Sequence, residues 1–486
     1  MNKSFKMFCY AWCCMVFFIA TSCRHDEIID ENADVQNSSY PLDVAEILVK
    51  KCATSGCHDN ISKDAAAGLS MITWSDLFKG GNGGAVVIPY RPDQSTLMYY
   101  VNHDSLLPVP GLSPTMPVNQ PALTIDELNI LQNWIAQGAP DRNGFVKFSD
   151  NPLRRKYYVA NQGCDLVSVF DAASNLVMRA VDVGSTPLTE SPHMVRVAYD
   201  NLSWFVCFIA GGTFQQYSTL DNTLIGEANI GVASWNTFAL TPNDSLAFVV
   251  DFSNGKLAIV NIATMTVQIK NGFGNPHGST MNATGDTLYM TAQLGSSLFK
   301  IPVNDMVNYE IIDLKGAFPF LGELEPHDII FSPDHSKYFV TCQESNEVRV
   351  VQTSNDSVIA AIPVGLLPQE LSVSFNNPYI FVTCMDAIGS YPSERGSVAI
   401  INYETNQLIK SVYTGYQPHG IAVDDVNNKV YVGNRNANPN GPAPHHTSLC
   451  AGRNGNVSII DMSTLTVIPG SSTEVSVDPY SVGITH

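Results

Sequence analysis

The sequence predicts a multidomain chain: a small α-helical domain, then an all-β propeller of seven blades. Three observations carry this. The length of 486 residues is enough for two domains with separate cores. Residues 41–150 hold capped, helix-period apolar stretches set in Gly- and Pro-rich sequence. Residues 151–486 hold short β-branched and aromatic runs between Asn, Asp and Gly turns, and one such unit recurs seven times.

The N-terminus reads as a targeting segment. Lys3 and Lys6 precede an apolar stretch over residues 7–19, too short to span a bilayer comfortably. Ala20-Thr21-Ser22-Cys23 follows, and small residues before a cysteine resemble the lipobox of bacterial lipoproteins. The resemblance implies cleavage of residues 1–22, lipidation of Cys23, and attachment to an envelope membrane by acyl chains alone. An outer-membrane anchor, periplasmic or surface-exposed, is the expected location. Residues 23–40 are acidic and lack apolar periodicity, so a flexible tether is expected there. Their acidic run also resembles a surface-export signal of some Gram-negative lipoproteins. Formal net charge is −19, and loss of Lys3 and Lys6 takes it to −21. Such a surface repels phosphate backbones and excludes nucleic acid as a partner.

In the first domain, residues 43–51 form a helix with acidic Asp43 at its start, running into Cys52. A second helix is signalled by Thr124 with Glu127 in a capping box. Ile125, Leu128, Leu131, Trp134 and Ile135 make its apolar stripe, and Gly138 ends it.

The repeated unit runs from a start residue through an alternating strand, a turn, an aromatic-Val-Thr strand and a Val-x-Val strand. Its starts are Pro192, Ser234, Pro276, Pro326, Pro368, Pro418 and Pro479, spaced 42, 42, 50, 42, 50 and 61 residues apart. Four-stranded blades need roughly 40–50 residues each, and the last gap holds an insertion over residues 436–455. The final unit supplies one strand, and residues 156–171 supply strands lacking a first one. Together they complete a seventh blade and close the ring, leaving no sheet edge open. Segments such as Tyr338-Phe339-Val340-Thr341-Cys342, Ile380-Phe381-Val382-Thr383-Cys384 and Tyr431-Val432-Gly433-Asn434 resemble the YVTN family of propellers. That resemblance speaks for the fold and is nearly silent on activity.

Cysteines sort by place. Cys9, Cys13 and Cys14 lie in the targeting segment. Cys164, Cys207, Cys342, Cys384 and Cys450 lie in the propeller and read mostly as buried small hydrophobes, with a disulfide less favoured. The chemistry sits in Cys52-Ala53-Thr54-Ser55-Gly56-Cys57-His58. Two thiols beside a histidine can add to the vinyl groups of haem, with the imidazole under the iron. The usual spacing has two residues between the cysteines; here there are four, and Gly56 eases the longer turn. On the motif alone a disulfide or half of a zinc site stays open, although no second ligand pair follows.

The context resembles the planctomycete-type cytochrome c domain. The match runs in order through Ile47-Leu48, Lys51-Cys52, Cys57-His58, Gly68-Leu69-Ser70, Ile88-Pro89, Ser95-Thr96-Leu97, Met116-Pro117, Leu123-Thr124 and Trp134-Ile135-Ala136-Gln137-Gly138-Ala139. It implies one covalent haem c on Cys52 and Cys57, with His58 and Met116 as axial ligands of the iron. Met116 lies in a Pro-flanked loop that stiffens its backbone. Met71, Met98 and His103 are the competing ligands; the first two read as core and the third as a loop residue. His/Met ligation raises the potential and closes the iron to substrates. Trp134 and Ile135 are expected to wall the haem, or else simply to fill the helical core.

A second cluster is suggested by His193, His277, His327 and His419, each following a start proline. Trp235, Gln369 and Tyr480 are expected at the equivalent places in the other blades. Such positions converge near a propeller's central channel, where imidazoles could bind copper or another transition metal; hydrogen bonding to the next blade is the plainer alternative. His445 and His446, in the insertion, read as a solvated loop. The likeness to copper-binding denitrification propellers is one of fold only. No Ser-His-Asp order, phosphate loop or paired-carboxylate motif stands out. The leading expectation is an envelope electron-transfer cytochrome with a redox protein partner, its propeller receiving a protein or small molecule. The others are a haem-containing oxidoreductase with a propeller active site, and a surface binding scaffold with haem secondary.

Overall fold

The computed structural model describes residues 31–107, 109–386, 396–437 and 454–486. The expected targeting segment, Cys23, His445, His446 and Cys450 lie outside the described residues. Among the described residues no helix is long and apolar enough to cross a membrane.

Few short helices build the first domain: α1 (Glu31–Asn37), α2 (Leu42–Ile47), α3 (Trp74–Leu77), α4 (Thr96–Val101) and α5 (Ile125–Ala136). The helix expected over residues 43–51 begins instead at Leu42, with Pro41 at its N-cap and Asp43 in its first turn, where the helix dipole favours a carboxylate. It then widens into a π-helical turn over Leu48–Cys52. The capping box of α5 is formed: Thr124 Oγ1 accepts from the Glu127 amide, and Glu127 accepts from the Thr124 amide at 2.8 Å. Leu128, Leu131, Trp134 and Ile135 are buried as the stripe requires, but Ile125 is exposed.

The flexible tether expected over residues 23–40 is corrected for its described end. Val35 and Tyr40 are buried in the core of the helical domain. Arg142 donates to the Val35 and Gln36 carbonyls at 2.8 and 2.6 Å, and to the Tyr40 carbonyl at 3.1 Å. A guanidinium thus satisfies the open carbonyls at the end of α1. Two isolated apolar residues suffice to dock this segment, and isolated residues leave no periodic signal.

The second domain consists of seven antiparallel sheets of four strands, one extended by the short strand Thr473–Val475. Lys156–Asn161 pairs with Pro479–Ile484, Tyr157 opposite Ile484 and Ala160 opposite Ser481, so both termini of the domain share one blade as expected. The remaining inner strands are Pro192–Val197, Trp235–Leu240, Pro276–Met281, Pro326–Phe331, Leu366–Val373 and Pro418–Asp424. Apolar cores run between neighbouring blades. Tyr157, for example, stacks on Phe170 of its own blade at 4.3 Å and on Tyr431 of the adjoining one at 4.0 Å. Cys207, Cys342 and Cys384 are free and fully buried, as small hydrophobes. Cys164 departs from that reading: it is disulfide-bonded.

The helical domain sits on the closing blade and on the short strand Thr473–Val475 of the blade before it. Ala85 and Ile88 bury themselves in the core that holds Tyr157, Val177 and Val475. Arg91 donates to the Ala180 carbonyl at 2.9 Å and pairs with Asp182 at 3.0 Å, while the Gly83 carbonyl accepts from the Glu474 amide at 3.0 Å. Gly84 makes this approach possible. Its φ is +97°, and a Cβ there would stand 2.4 Å from Thr473 Cγ2. Gly84→Ala is therefore expected to lower stability by about 2–4 kcal/mol, from left-handed strain plus the steric overlap. Thermal unfolding of the full chain measures it, and an unchanged melting temperature would mean this seam is soft.

A candidate haem centre and a histidine ring

The loop from Cys52 to His58 is closed by its own backbone. The His58 amide donates to the Cys52 carbonyl at 3.1 Å, the Cys57 amide to Thr54 at 3.0 Å, and the Ala53 amide to Leu48 at 2.8 Å. Gly56, with φ +86°, makes the turn between them and donates to Ser62 Oγ at 2.9 Å. The four-residue gap thus folds back on itself and carries Cys57 and His58 next to Cys52. Both thiols are free, which removes the disulfide alternative. Cys52 is buried and Cys57 half-buried. Burial, reinforced by the neighbouring Cys57, pushes the Cys52 thiol up to about 12. The zinc alternative finds no support, because no group of three or more His, Cys, Asp or Glu among the described residues is arranged to hold a metal ion.

His58 is half-buried and its Nδ1 lies 3.2 Å from the Leu69 carbonyl oxygen. A carbonyl only accepts, so Nδ1 carries the proton and Nε2 keeps the lone pair. Burial lowers the imidazole's pKa, against a smaller opposing effect of that hydrogen bond. A neutral ring with a fixed tautomer is the form a metal ligand needs. Lys51 pairs with Glu127 at 2.5 Å and so ties this loop to the start of α5.

Met116 is half-buried and packs against the same apolar core that contains Cys52 and Trp134. Its amide donates to the Tyr100 carbonyl at 2.7 Å. Met71 and Met98 are buried within that core. The His103 Nε2 stands 2.6 Å from the Leu123 carbonyl, so that nitrogen is already engaged. Trp134 packs edge-on against Tyr40 at 6.0 Å and donates to the Pro140 carbonyl, with Ile135 fully buried beside it. The donor set fits haem c: two free thiols on one turn, a neutral imidazole with Nε2 open, and one thioether at the edge of the core.

The four propeller histidines do come together. His277 and His327 rings lie 4.0 Å apart, His327 and His419 5.6 Å, and His193 and His277 6.3 Å. Tyr480 closes the circuit, 3.7 Å from His419 and 4.0 Å from His193. Gln369 is buried in the same register, but Trp235 is a correction. Trp235 pairs with Asp251 and Thr237 with Val250, so the bulge falls on Asn236, which takes the place equivalent to His193. Hydrogen bonding between blades is present in two cases: His277 Nδ1 donates to the His327 carbonyl at 3.1 Å, and His419 Nδ1 to the Tyr480 carbonyl at 3.0 Å. Burial holds all four imidazoles low, His277 at about 4. Two acids, Asp328 next to His327, which the sequence offers as a carboxylate beside the ring, and Glu370, which it does not single out, are buried beside the ring and raised by that burial. Each stands one residue past a start-proline pair, where the repeat pattern could have flagged Glu370 too.

Comparison with known proteins supports both halves. Residues 55–109 match the family described as planctomycete cytochrome C, a span that includes Cys57 and His58 and stops short of Met116. No curated protein matches the chain. Among solved structures, a functionally unknown protein from Desulfotomaculum acetoxidans is similar at TM-score 0.52 and 15% identity, covering 68% of this chain and 99% of that one. Kuenenia stuttgartiensis hydrazine synthase gives TM-score 0.48 and 16% identity over 62% of this chain and 91% of that one. Dihydro-heme d1 dehydrogenase NirN gives 0.47 and 11% over 82% and 93%. The chain therefore carries a cytochrome c-like domain, which implies covalent haem c, ahead of a seven-bladed propeller.

Proposed function

We propose that this protein is an envelope-anchored electron-transfer cytochrome carrying one haem c, with the propeller as docking module for a redox partner or substrate. The observation that carries the reading is the self-closed turn from Cys52 to His58, which presents two free thiols beside an imidazole with Nε2 unprotonated. When bound, haem c supplies one-electron chemistry at iron. Cys52 and Cys57 would form the thioethers. His58 would be the proximal ligand, held in its tautomer by Leu69. Met116 would be the distal ligand, which favours the reduced iron and leaves no open position for oxygen. Cys23 would carry the lipid, and the acidic surface would select a partner with a basic face.

Met116→Ala is expected to lower the haem potential and to let the iron bind cyanide or carbon monoxide. A reduced-minus-oxidised spectrum and a redox titration read both. An unchanged spectrum and potential would assign the sixth position to another residue, such as Met71 or Met98.

A further inference from the structure

The histidine ring leaves buried polar atoms without partners. These are both ring nitrogens of His193, Nδ1 of His327 and Nε2 of His419. Every one of these residues is more than nine-tenths buried. Each unpaired buried group costs about 1–3 kcal/mol, and native interiors pair such groups almost always. Four orphaned imidazole nitrogens on one ring therefore point to a guest. The cavity they enclose, about 10 Å3, has room for a single water-sized occupant.

The chemistry of the ring selects the guest. Imidazoles from four different blades line one cavity, and borderline dications prefer imidazole. His277 and His419 give Nδ1–H to backbone carbonyls, so their Nε2 atoms carry the lone pairs. Carbonyl-fixed tautomers of this kind accompany metal ligation in proteins. His193 has no hydrogen bond at all and His327 none at Nδ1, so both can turn toward an ion without breaking one. Glu370 Oε1 lies 3.5 Å from His419 Nδ1, and Asp328 lines the same cavity.

We propose that this ring binds one late first-row transition-metal dication, held by imidazole nitrogens of His193, His277, His327 and His419. Loading turns the two rings that are free to turn, since no three donors stand at coordinating positions before it. The site is separate from the haem centre and does not depend on that assignment.

The test uses the full-length haem-loaded protein. Copper(II) or zinc(II) alone is added, excess is removed, and metal is measured per chain beside haem iron. One equivalent is expected, with at least three nitrogens coupled to copper in its electron paramagnetic resonance spectrum. His193→Gln with His327→Gln should weaken binding at least 100-fold, while His445→Ala with His446→Ala should leave it unchanged. The haem spectrum and circular dichroism report whether each variant is folded. If the Gln variant does not fold, the count of coupled nitrogens on the unaltered protein decides alone. No metal beyond haem iron, fewer than three nitrogens, or binding that survives in a folded Gln variant would overturn the proposal and assign the cavity to water.

Discussion

Alanine at both Cys52 and Cys57 is expected to yield protein with no covalently attached haem, even when it is expressed with a maturation system. The two thiols are the ones available on the turn that ends at His58, and the turn is closed by bonds between backbone atoms, not by the thiols. The double variant should therefore keep its fold and lose only the attachment. The single variants should differ. Cys57 is half-exposed, and its loss removes one thioether with little effect on packing. Cys52 is 7% exposed in the domain core, so its loss also leaves a small cavity, worth about 1 kcal/mol. Haem staining after denaturing electrophoresis separates these outcomes. Haem that stays bound through denaturation in the double variant would refute the assignment of this turn.

Much of the architecture was legible because repeats average out local noise. Seven start residues fixed the number of blades, and the unequal ends of the repeat array required a shared blade, which the pairing of Tyr157 with Ile484 realises. The failures have local physical causes. The second repeat lacks a Pro-His pair, so the pattern aligned Trp235, whereas the bulge in the ladder gives Asn236 the register position equivalent to His193. The docking of Val35 and Tyr40 depends on Arg142, over a hundred residues away, and distance in sequence hides such a clamp. Cys164 has no counterpart at its place in other blades, so nothing in the repeats marked it for bridging. At the haem centre the residue types were plain in the sequence. Their usability was not: only the backbone bonds across Cys52 and His58 show that a four-residue gap returns to one point.

Ring closure by the last strand has the largest expected effect on stability. Deleting residues 479–486 removes the inner strand of the closing blade and uncovers the edge of Lys156–Asn161. Tyr480, Val482 and Ile484 are each at least nine-tenths buried. At about 1.5–3 kcal/mol per buried side chain the apolar loss alone is roughly 5–9 kcal/mol. That is comparable to the whole stability of a typical domain, about 5–15 kcal/mol. The backbone loses its ladder as well, and an open edge invites pairing between chains. The truncated protein should therefore aggregate, which size-exclusion chromatography detects. Tyr480→Ala, by contrast, keeps the ladder and removes one ring from the circuit between His193 and His419. It should lower the melting temperature only modestly while enlarging the cavity. If the truncation melts at the same temperature as the full chain, the ring is not held shut by this strand, and the closing blade must be stabilised instead by the helical domain docked against it at Ala85, Ile88 and Arg91.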